Sequence, residues 1–243
     1  MITDREPIPE PIPEPIPEPI QENLPMQAIP NTLTGPLLDP QVNAVIARLE
    51  QTCKRPSNGG PMANSANSHD PYAYADCGFS IHPDQGNLIY LLCRAQRARR
   101  VAEFATSLGM SALYAAAALR DNGGGVVIGS ELVPQKAFAA WRNLTEAGLA
   151  HLVDIRQGDA RDTLRDLGGP VDFMLVDGWP SPHEPSLARQ VIGIVAPQIR
   201  IGGLVMNDNA EPDYLEYIRN PAHGFRSMTL PIKGGTELSV KVN

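Results

Sequence analysis

The chain has 243 residues, which allows one α/β domain with a full hydrophobic core and an additional segment. Its formal net charge of −7 argues against a nucleic-acid-binding protein, because no large Lys/Arg surface is available to neutralise phosphates. The basic run RAQRARR, residues 94–100, directly precedes an apolar strand and is interpreted as a solvated helix end.

Cysteine usage and hydropathy predict a cytoplasmic protein. The three cysteines, Cys53, Cys77 and Cys93, show no metal-like spacing and cannot all pair, as expected in a reducing compartment. The opening stretch MITDREPIPE has no apolar signal core, and no later stretch is apolar enough to span a membrane. We therefore expect a protein without membrane contact.

Residues 1–36 are predicted to be a disordered, proline-rich tail. Within them EPIPEPIPEPIPEPI, residues 6–20, repeats the unit Glu-Pro-Ile-Pro, which can form neither a sheet ladder nor a helix interior. Such a repeat favours extended polyproline II backbone. It serves either as a spacer or as a ligand for an aromatic groove of another protein.

Residues 37–98 are predicted to hold two helices and a loop. The apolar spacing of LLDPQVNAVIARLEQTCKR favours a helix from Pro40 to Lys54, and PDQGNLIYLLCRAQRA favours a second helix over about 84–98. The Gly/Asn/Ser-rich residues 55–80 between them are typical of a loop.

Residues 99–243 alternate between short apolar strands and helical stretches. Examples are RRVAEFA, GVVIGSE, LVDIRQG, VDFMLVD and GGLVMND, each separated from the next by a helical pattern. Continuously apolar strands in this order predict an α/β fold, a doubly wound Rossmann-like sheet of seven mostly parallel strands with helices on both faces. The end, FRSMTLPI-KGG-TELSVKV, differs because it predicts an antiparallel hairpin.

Polar residues close most of the predicted parallel strands. Ligands of doubly wound sheets bind at the carboxyl ends of the strands, so these residues are candidates for a site. They are Glu103, Glu131, Asp159, Asp177 and the pair Asp208-Asn209.

The loop after the first strand, EFATSLGMS, lacks the G-x-G-x-x-G pattern of a dinucleotide site and contains only Gly109. Its small and hydroxyl residues could hold a carboxylate and an amino-acid tail instead. Glu131 could accept hydrogen bonds from a ribose, which NAD and S-adenosylmethionine both contain, and Asp159 could accept one from an adenine amino group. Each acid taken alone could equally be a helix cap.

The run from Val101 to Leu149, with VDFMLVDGW, GGLVMNDNA and LPIKGGTELSVKV, resembles the class I S-adenosylmethionine-dependent O-methyltransferases of the catechol and caffeoyl-CoA type. The resemblance covers roughly residues 80–243, and the closing antiparallel hairpin is its best single element. It implies an enzyme that methylates a hydroxyl of a small, aromatic acceptor.

The resemblance also implies a cofactor site. The family pattern E-x-G-[TA]-x-x-G-x-S falls on this chain with an alanine in place of the first glycine. The residues implied to hold the methionine portion are Glu103, Ala105, Thr106, Gly109 and Ser111, while Glu131 takes the ribose, Asp159 and Ala160 border the adenine, and Asp177 contacts either the cofactor's amine or a metal.

A divalent metal site is implied as well, formed by Asp177, Asp208 and Asn209. Three oxygen ligands would leave positions on Mg²⁺ or a similar ion for two vicinal acceptor oxygens. The metal would lower the pKa of the acceptor hydroxyl and fix its oxygen in line with the methyl group. The alternative is that Asp208-Asn209 only forms a turn after a buried strand.

The catalytic base is not assigned by the resemblance. Related enzymes of the catechol type carry a lysine three residues after the strand-four acid, where this chain has Pro180. Either a metal alone acidifies the acceptor, or a histidine such as His183 or His82 takes the proton. Trp179 could line the pocket for an aromatic acceptor.

We therefore expect a metal-assisted O-methyltransferase whose two N-terminal helices either cap the acceptor pocket or form a homodimer interface. Two alternatives stay open. One is a protein that binds S-adenosylmethionine without turnover, suggested by Pro180 and Ala105. The other is a nicotinamide-dependent oxidoreductase, which the missing glycines and the terminal hairpin disfavour.

Overall fold

A seven-stranded sheet lies at the centre of the described part of the chain, with the strand order β3-β2-β1-β4-β5-β7-β6. The computed structural model describes residues 35–52, 70–75, 77–178 and 184–243. The Glu-Pro-Ile-Pro tract, most of the predicted loop 55–80, Trp179, Pro180 and His183 lie outside the described residues.

Five neighbouring strands run parallel, and the last two are antiparallel, as the sequence predicts. β1 pairs with β2 and β4, β2 with β3, and β4 with β5, all in parallel, whereas β7 pairs antiparallel with both β5 and β6. The strands are β1 Arg100–Phe104, β2 Val126–Glu131, β3 Val153–Gln157, β4 Val171–Val176, β5 Ile199–Asp208, β6 Phe225–Leu230 and β7 Thr236–Lys241.

Helices cover both faces of the sheet. Their apolar residues join two separate clusters, in which α1 to α4 pack on one face and α5 to α7 on the other. The helices of the described residues are α1 Pro40–Thr52, α2 Pro83–Ala95, α3 Met110–Asp121, α4 Pro134–Glu146, α5 Ala160–Thr163, α6 Leu187–Val195 and α7 Pro212–Arg219. The predicted doubly wound fold is confirmed.

Helix α3 is the centre of the first face. Its residues from Met110 to Leu119 are all buried, and an alanine-rich sequence lets neighbouring elements approach it closely. The approach of α2 depends on Gly86, because a Cβ atom there would lie 2.2 Å from the ring of Tyr114. This packing brings the N-terminal part of α2 to the carboxyl ends of the strands.

Within the described residues, no helix is both long and apolar enough to cross a membrane. Cys77 and Cys93 are free thiols, and burial raises the pKa of Cys93 far above its usual range.

Candidate active site

The loop between β1 and α3 forms one wall of the candidate site. Glu103 lies near the end of β1 and is only 1% exposed. Its Oε2 accepts a hydrogen bond of 2.7 Å from the Ser111 hydroxyl. Its other oxygen, Oε1, is buried without a hydrogen-bond partner among the described residues, and so are the hydroxyls of Thr106 and Ser107. An unsatisfied buried polar group costs roughly 1–3 kcal/mol, so three of them in one loop favour a polar ligand.

Burial raises the pKa of the Glu103 carboxyl and the negative charge of Glu131 raises it further, whereas the neighbouring hydroxyls of Ser111 and Thr106 lower it. A cationic partner beside Glu103 would reverse this shift. The methionine portion of S-adenosylmethionine carries such a cation in its amino group.

Space for this arrangement comes from a glycine in the neighbouring strand. Gly129 pairs with Glu103 across β1 and β2. A Cβ atom on Gly129 would lie 2.3 Å from the hydroxyl oxygen of Thr106 and 3.0 Å from Oε1 of Glu103. Any larger residue would displace the two side chains that carry the unsatisfied oxygens.

The backbone of the loop is held against β2. The amides of Ala105 and Thr106 both donate to the carbonyl oxygen of Ser130 at 3.0 Å. Ala105 has a φ of +71°, a left-handed conformation that glycine adopts freely and alanine does not. The position where the related family has glycine therefore keeps the glycine-like backbone, and Gly109, with a φ of +87°, begins helix α3.

Glu131 lies at the end of β2 with its carboxylate fixed by two backbone amides. Ser107 N donates to Oε2 at 2.7 Å, and Val133 N donates to Oε1 at 2.9 Å. Each carboxylate oxygen keeps a lone pair for a further donor. This is the arrangement that the predicted contact with two ribose hydroxyls needs.

A small, open cleft lies next to this loop. Besides residues of the loop, Asp177 from the end of β4 lines it, and Phe79, Ser80 and Ile81 line it from the segment before α2. Phe79 also lies beneath the ammonium group of Lys136, with 5.1 Å between the nitrogen and the ring centroid.

Asp177 and the residue after it connect β4 to β1. The Asp177 amide donates to the carbonyl oxygen of Phe104 at 3.3 Å. A Cβ atom on Gly178 would lie 1.9 Å from the ring of Phe104. The chain therefore needs glycine directly after Asp177, because the aromatic ring of the neighbouring strand fills that space.

Asp159 has a neighbour that the sequence did not suggest. It is the N-cap of α5, accepting from Arg161 N at 2.8 Å, and its carboxylate also accepts from the Arg161 guanidinium, with a shortest distance of 2.6 Å. The hydrogen bonds from Arg161 hold the pKa of Asp159 below its usual range. Ala160 follows as the buried first residue of α5. An adenine amino group would share Asp159 with Arg161.

Both carboxylate oxygens of Asp208 accept hydrogen bonds. Gln85 Nε2 donates to Oδ1 at 3.0 Å, and Asn209 Nδ2 donates to Oδ2 at 3.0 Å. The ammonium group of Lys233, from the turn between β6 and β7, also donates to Oδ2. In the described ranges, no group of three or more His, Cys, Asp and Glu side chains is arranged to hold a metal ion.

The two histidines proposed as bases have different outcomes. His183 lies outside the described residues. His82 is the N-cap of α2, where its Nδ1 accepts from Asp84 N at 3.3 Å. Its backbone amide donates to Gln85 Oε1 at 2.8 Å, completing a capping box.

Several residues of the site were missed by sequence reasoning. Gln85 and Lys233 had no sequence signal that paired them with Asp208, because each meets it only in the fold. Ser107 and the cleft-lining residue Phe79 had no recognisable signal.

Comparisons with known proteins show what this chain is similar to. Residues 102–210 match the family model described as a methyltransferase domain. The predicted resemblance to the class I S-adenosylmethionine-dependent O-methyltransferases is confirmed.

Relatives of this methyltransferase domain include two proteins named catechol O-methyltransferase. One, from Niastella koreensis, is 32% identical over 141 residues, covering 54% of this chain and 63% of the relative. The other, from Mycobacterium tuberculosis, is also 32% identical over 141 residues, covering 55% of this chain and 63% of the relative. The matched part thus spans less than two thirds of each relative.

The methyltransferase domain also has solved structural neighbours. An O-methyltransferase from Bacillus cereus, solved in complex with SAH, superposes with a TM-score of 0.60 at 21% identity. The superposition covers 82% of this chain and 90% of the neighbour. The likeness shows that both chains share the class I methyltransferase fold.

Proposed function

We propose that this protein transfers the methyl group of S-adenosylmethionine to a hydroxyl of a small, aromatic acceptor. One observation carries the proposal. Thr106 and Ser107, whose buried hydroxyls lack a hydrogen-bond partner among the described residues, line a cleft, and next to them lie the buried Glu103 and the doubly held carboxylate of Glu131.

The residues fit the cofactor. Glu103 and the hydroxyls of Thr106 and Ser107 would hold the methionine portion, and Glu131 would accept from the ribose. Asp159 and Ala160 would border the adenine. When bound, S-adenosylmethionine supplies an electrophilic methyl group on a sulfonium centre.

The chain's contribution to the reaction is alignment and exclusion of water. Transfer of the methyl group dissipates the sulfonium charge, so exclusion of water from the cleft and an acceptor oxygen placed in line would supply most of the acceleration. Phe79 and Ile81 contribute apolar side chains to the lining of the cleft. The proton of the acceptor hydroxyl passes to a base, and His183 stays the predicted candidate.

Metal assistance, homodimer formation and a cytoplasmic location stay predictions. The residues implied for a metal do not fit it well, because the Asp208 carboxylate already accepts hydrogen bonds from three side-chain donors. No step of the proposed reaction is assigned to a divalent ion.

Calorimetric titration of S-adenosylhomocysteine (SAH) tests the cofactor part of the proposal. Micromolar affinity, about −8 kcal/mol, is expected for the wild type, and a large loss for Glu131→Ala. Transfer of radiolabelled methyl groups to a panel of catechols and phenols then tests turnover. Binding without transfer to any acceptor would indicate a binding protein, and no SAH binding would contradict the proposal.

A further inference from the structure

A partly buried lysine, Lys233, lies where the resemblance implies a divalent metal. Asp208 closes β5 with a side chain that has no exposed surface, and the Lys233 side chain paired with it is only 14% exposed. A lysine side chain with this little exposure is stabilised by a paired, hydrogen-bonded partner, because desolvation of an unpaired charge is unfavourable.

The hairpin directs Lys233 to this position. β7 pairs with β5 so that Thr236 lies opposite Asp208, which brings the preceding turn to the carboxyl end of β5. Within the turn Lys233 has a φ of +52°, and the following Gly234 and Gly235 also have positive φ values. A lysine in left-handed backbone costs about 1–2 kcal/mol, so this conformation is held by its surroundings.

Helix α2 closes the same cluster. Gln85 is fully buried, and its Nε2 donates at 3.0 Å both to Asp208 and to the hydroxyl of Thr236. Thr236 donates in turn to the carbonyl oxygen of Ile232 in the turn. Three elements of the fold, α2, β5 and the β6–β7 hairpin, thus converge on one carboxylate.

Such a cluster is a poor ligand set for Mg²⁺. The ion prefers oxygen ligands at near-octahedral geometry. Here the donors around Asp208 are an ammonium, an amide of glutamine and an amide of asparagine. Lysine has three N–H donors and no lone pair when charged, so it replaces a cation and cannot bind one.

We propose that the Lys233 ammonium occupies the position of the divalent cation beside Asp208, so that this site works without a metal ion. The replacement of the metal by Lys233 does not depend on the proposed function. Its consequence for catalysis does rest on that function, and this consequence is methyl transfer that needs no divalent ion. The positive charge that a metal would bring to the strand ends is supplied by the chain itself.

Manganese binding tests this inference independently of turnover. Mn²⁺ is titrated into the chelator-treated protein and followed by electron paramagnetic resonance. No stoichiometric site is expected in the wild type. Lys233→Met should gain one, binding at least about tenfold tighter than the wild type, and the added change Asp208→Asn should remove it. Lys241→Met is the matched control, because Lys241 donates to the carbonyl oxygen of Ala196 instead.

Loss of a buried ion-pair partner could prevent Lys233→Met from folding. Lys233→Gln removes the charge and keeps an N–H donor for Asp208, and for it Mn²⁺ should raise the melting temperature while leaving that of the wild type unchanged. A stoichiometric Mn²⁺ site in the wild type that Asp208→Asn abolishes would overturn the inference, as would folded Lys233 variants that gain no site. Failure of SAH binding would count against the proposed function and leave the manganese result standing.

Discussion

The backbone amide of Ser107 donates a 2.7 Å hydrogen bond to Oε2 of Glu131, joining the loop after β1 to the end of β2. Two strands are thereby fixed at the point where the proposed cofactor would lie across them. The carboxylate is held before any ligand arrives, so little ordering entropy is lost on binding.

We expect Glu131→Ala to weaken SAH binding by about 10- to 100-fold, since hydrogen bonds to a charged group are worth roughly 1.5–3 kcal/mol. Isothermal titration calorimetry measures the change. Glu146→Ala is the matched control, because Glu146 is a half-exposed partner of Arg48 on another surface and should leave the affinity unchanged. Equal affinities for wild type and Glu131→Ala would remove Glu131 from the site.

Ala105→Gly should stabilise the protein by about 0.5 kcal/mol, because relief of the left-handed alanine backbone exceeds the entropy that glycine loses on folding. Ala112→Gly, in the first turn of α3, should destabilise it by about 1 kcal/mol or more, since the change there removes a buried methyl group as well as helix propensity. Urea unfolding should give a higher free energy of unfolding for Ala105→Gly and a lower one for Ala112→Gly than for the wild type. A destabilised Ala105→Gly would show that its φ of +71° is not strained.

Gly129→Ala should destabilise the fold and weaken SAH binding together, because the new methyl group would meet the oxygens of Thr106 and Glu103. Gly193→Ala is the control. Its Cβ atom would meet only the flexible end of Arg189, within helix α6, and the change should stabilise the protein by up to about 1 kcal/mol. Thermal unfolding and calorimetry on both variants separate steric loss in the site from the general effect of replacing glycine.

Two buried glutamates should respond to pH in opposite ways. Burial raises the pKa of Glu103, so ionisation of its carboxyl opposes folding as pH rises above the ordinary value of 4.5. The stability of Glu103→Gln relative to wild type should therefore improve with rising pH, even though the variant binds SAH more weakly. Proton release on SAH binding is expected in the same range if the carboxyl ionises beside the ligand.

Glu237 supplies the contrast. Although burial alone would raise its pKa, hydrogen bonds from Arg219 and Thr229 bring it below the usual value. Its stabilisation is present above pH 4.5 and is lost as pH falls through the lowered pKa, so Glu237→Gln should cost most near neutral pH. Urea unfolding of both variants over roughly pH 3 to pH 8 measures the slopes, because the contribution of Glu237 changes below pH 4.5 and that of Glu103 changes above it. Equal pH dependences of stability for Glu103→Gln and Glu237→Gln would contradict the opposite pKa shifts of the two carboxyls.

The fold and one half of the site could be predicted from local patterns. The apolar strands that alternate with helical stretches predict the sheet. Because parallel strands share a direction, their ends place Glu103, Glu131 and Asp177 at one edge of that sheet. The surroundings of Asp208 could not be predicted this way. Gln85 lies 123 residues before it and Lys233 lies 25 residues after it, and both meet it only through helix packing and hairpin register.

Asp159 shows a second limit. Its position after a strand suggested a ligand contact, whereas its pairing with Arg161 depends on the side-chain direction in a helix of four residues. Such side-chain pairs depend on the three-dimensional positions of the residues, which the hydrophobic periodicity of a sequence does not give. The contact with adenine therefore stays a prediction.

The enclosure of α3 has a consequence for hydrogen exchange. Amides from Met110 to Leu119 are buried on all sides, so their protons should exchange with solvent only when the whole domain opens. A ligand bound at the start of this helix would then slow their exchange by a factor of about 1 + [L]/Kd, where [L] is the free ligand concentration. The exchange rates of these slowly exchanging amides would thus report the affinity for the cofactor, without an acceptor and without turnover.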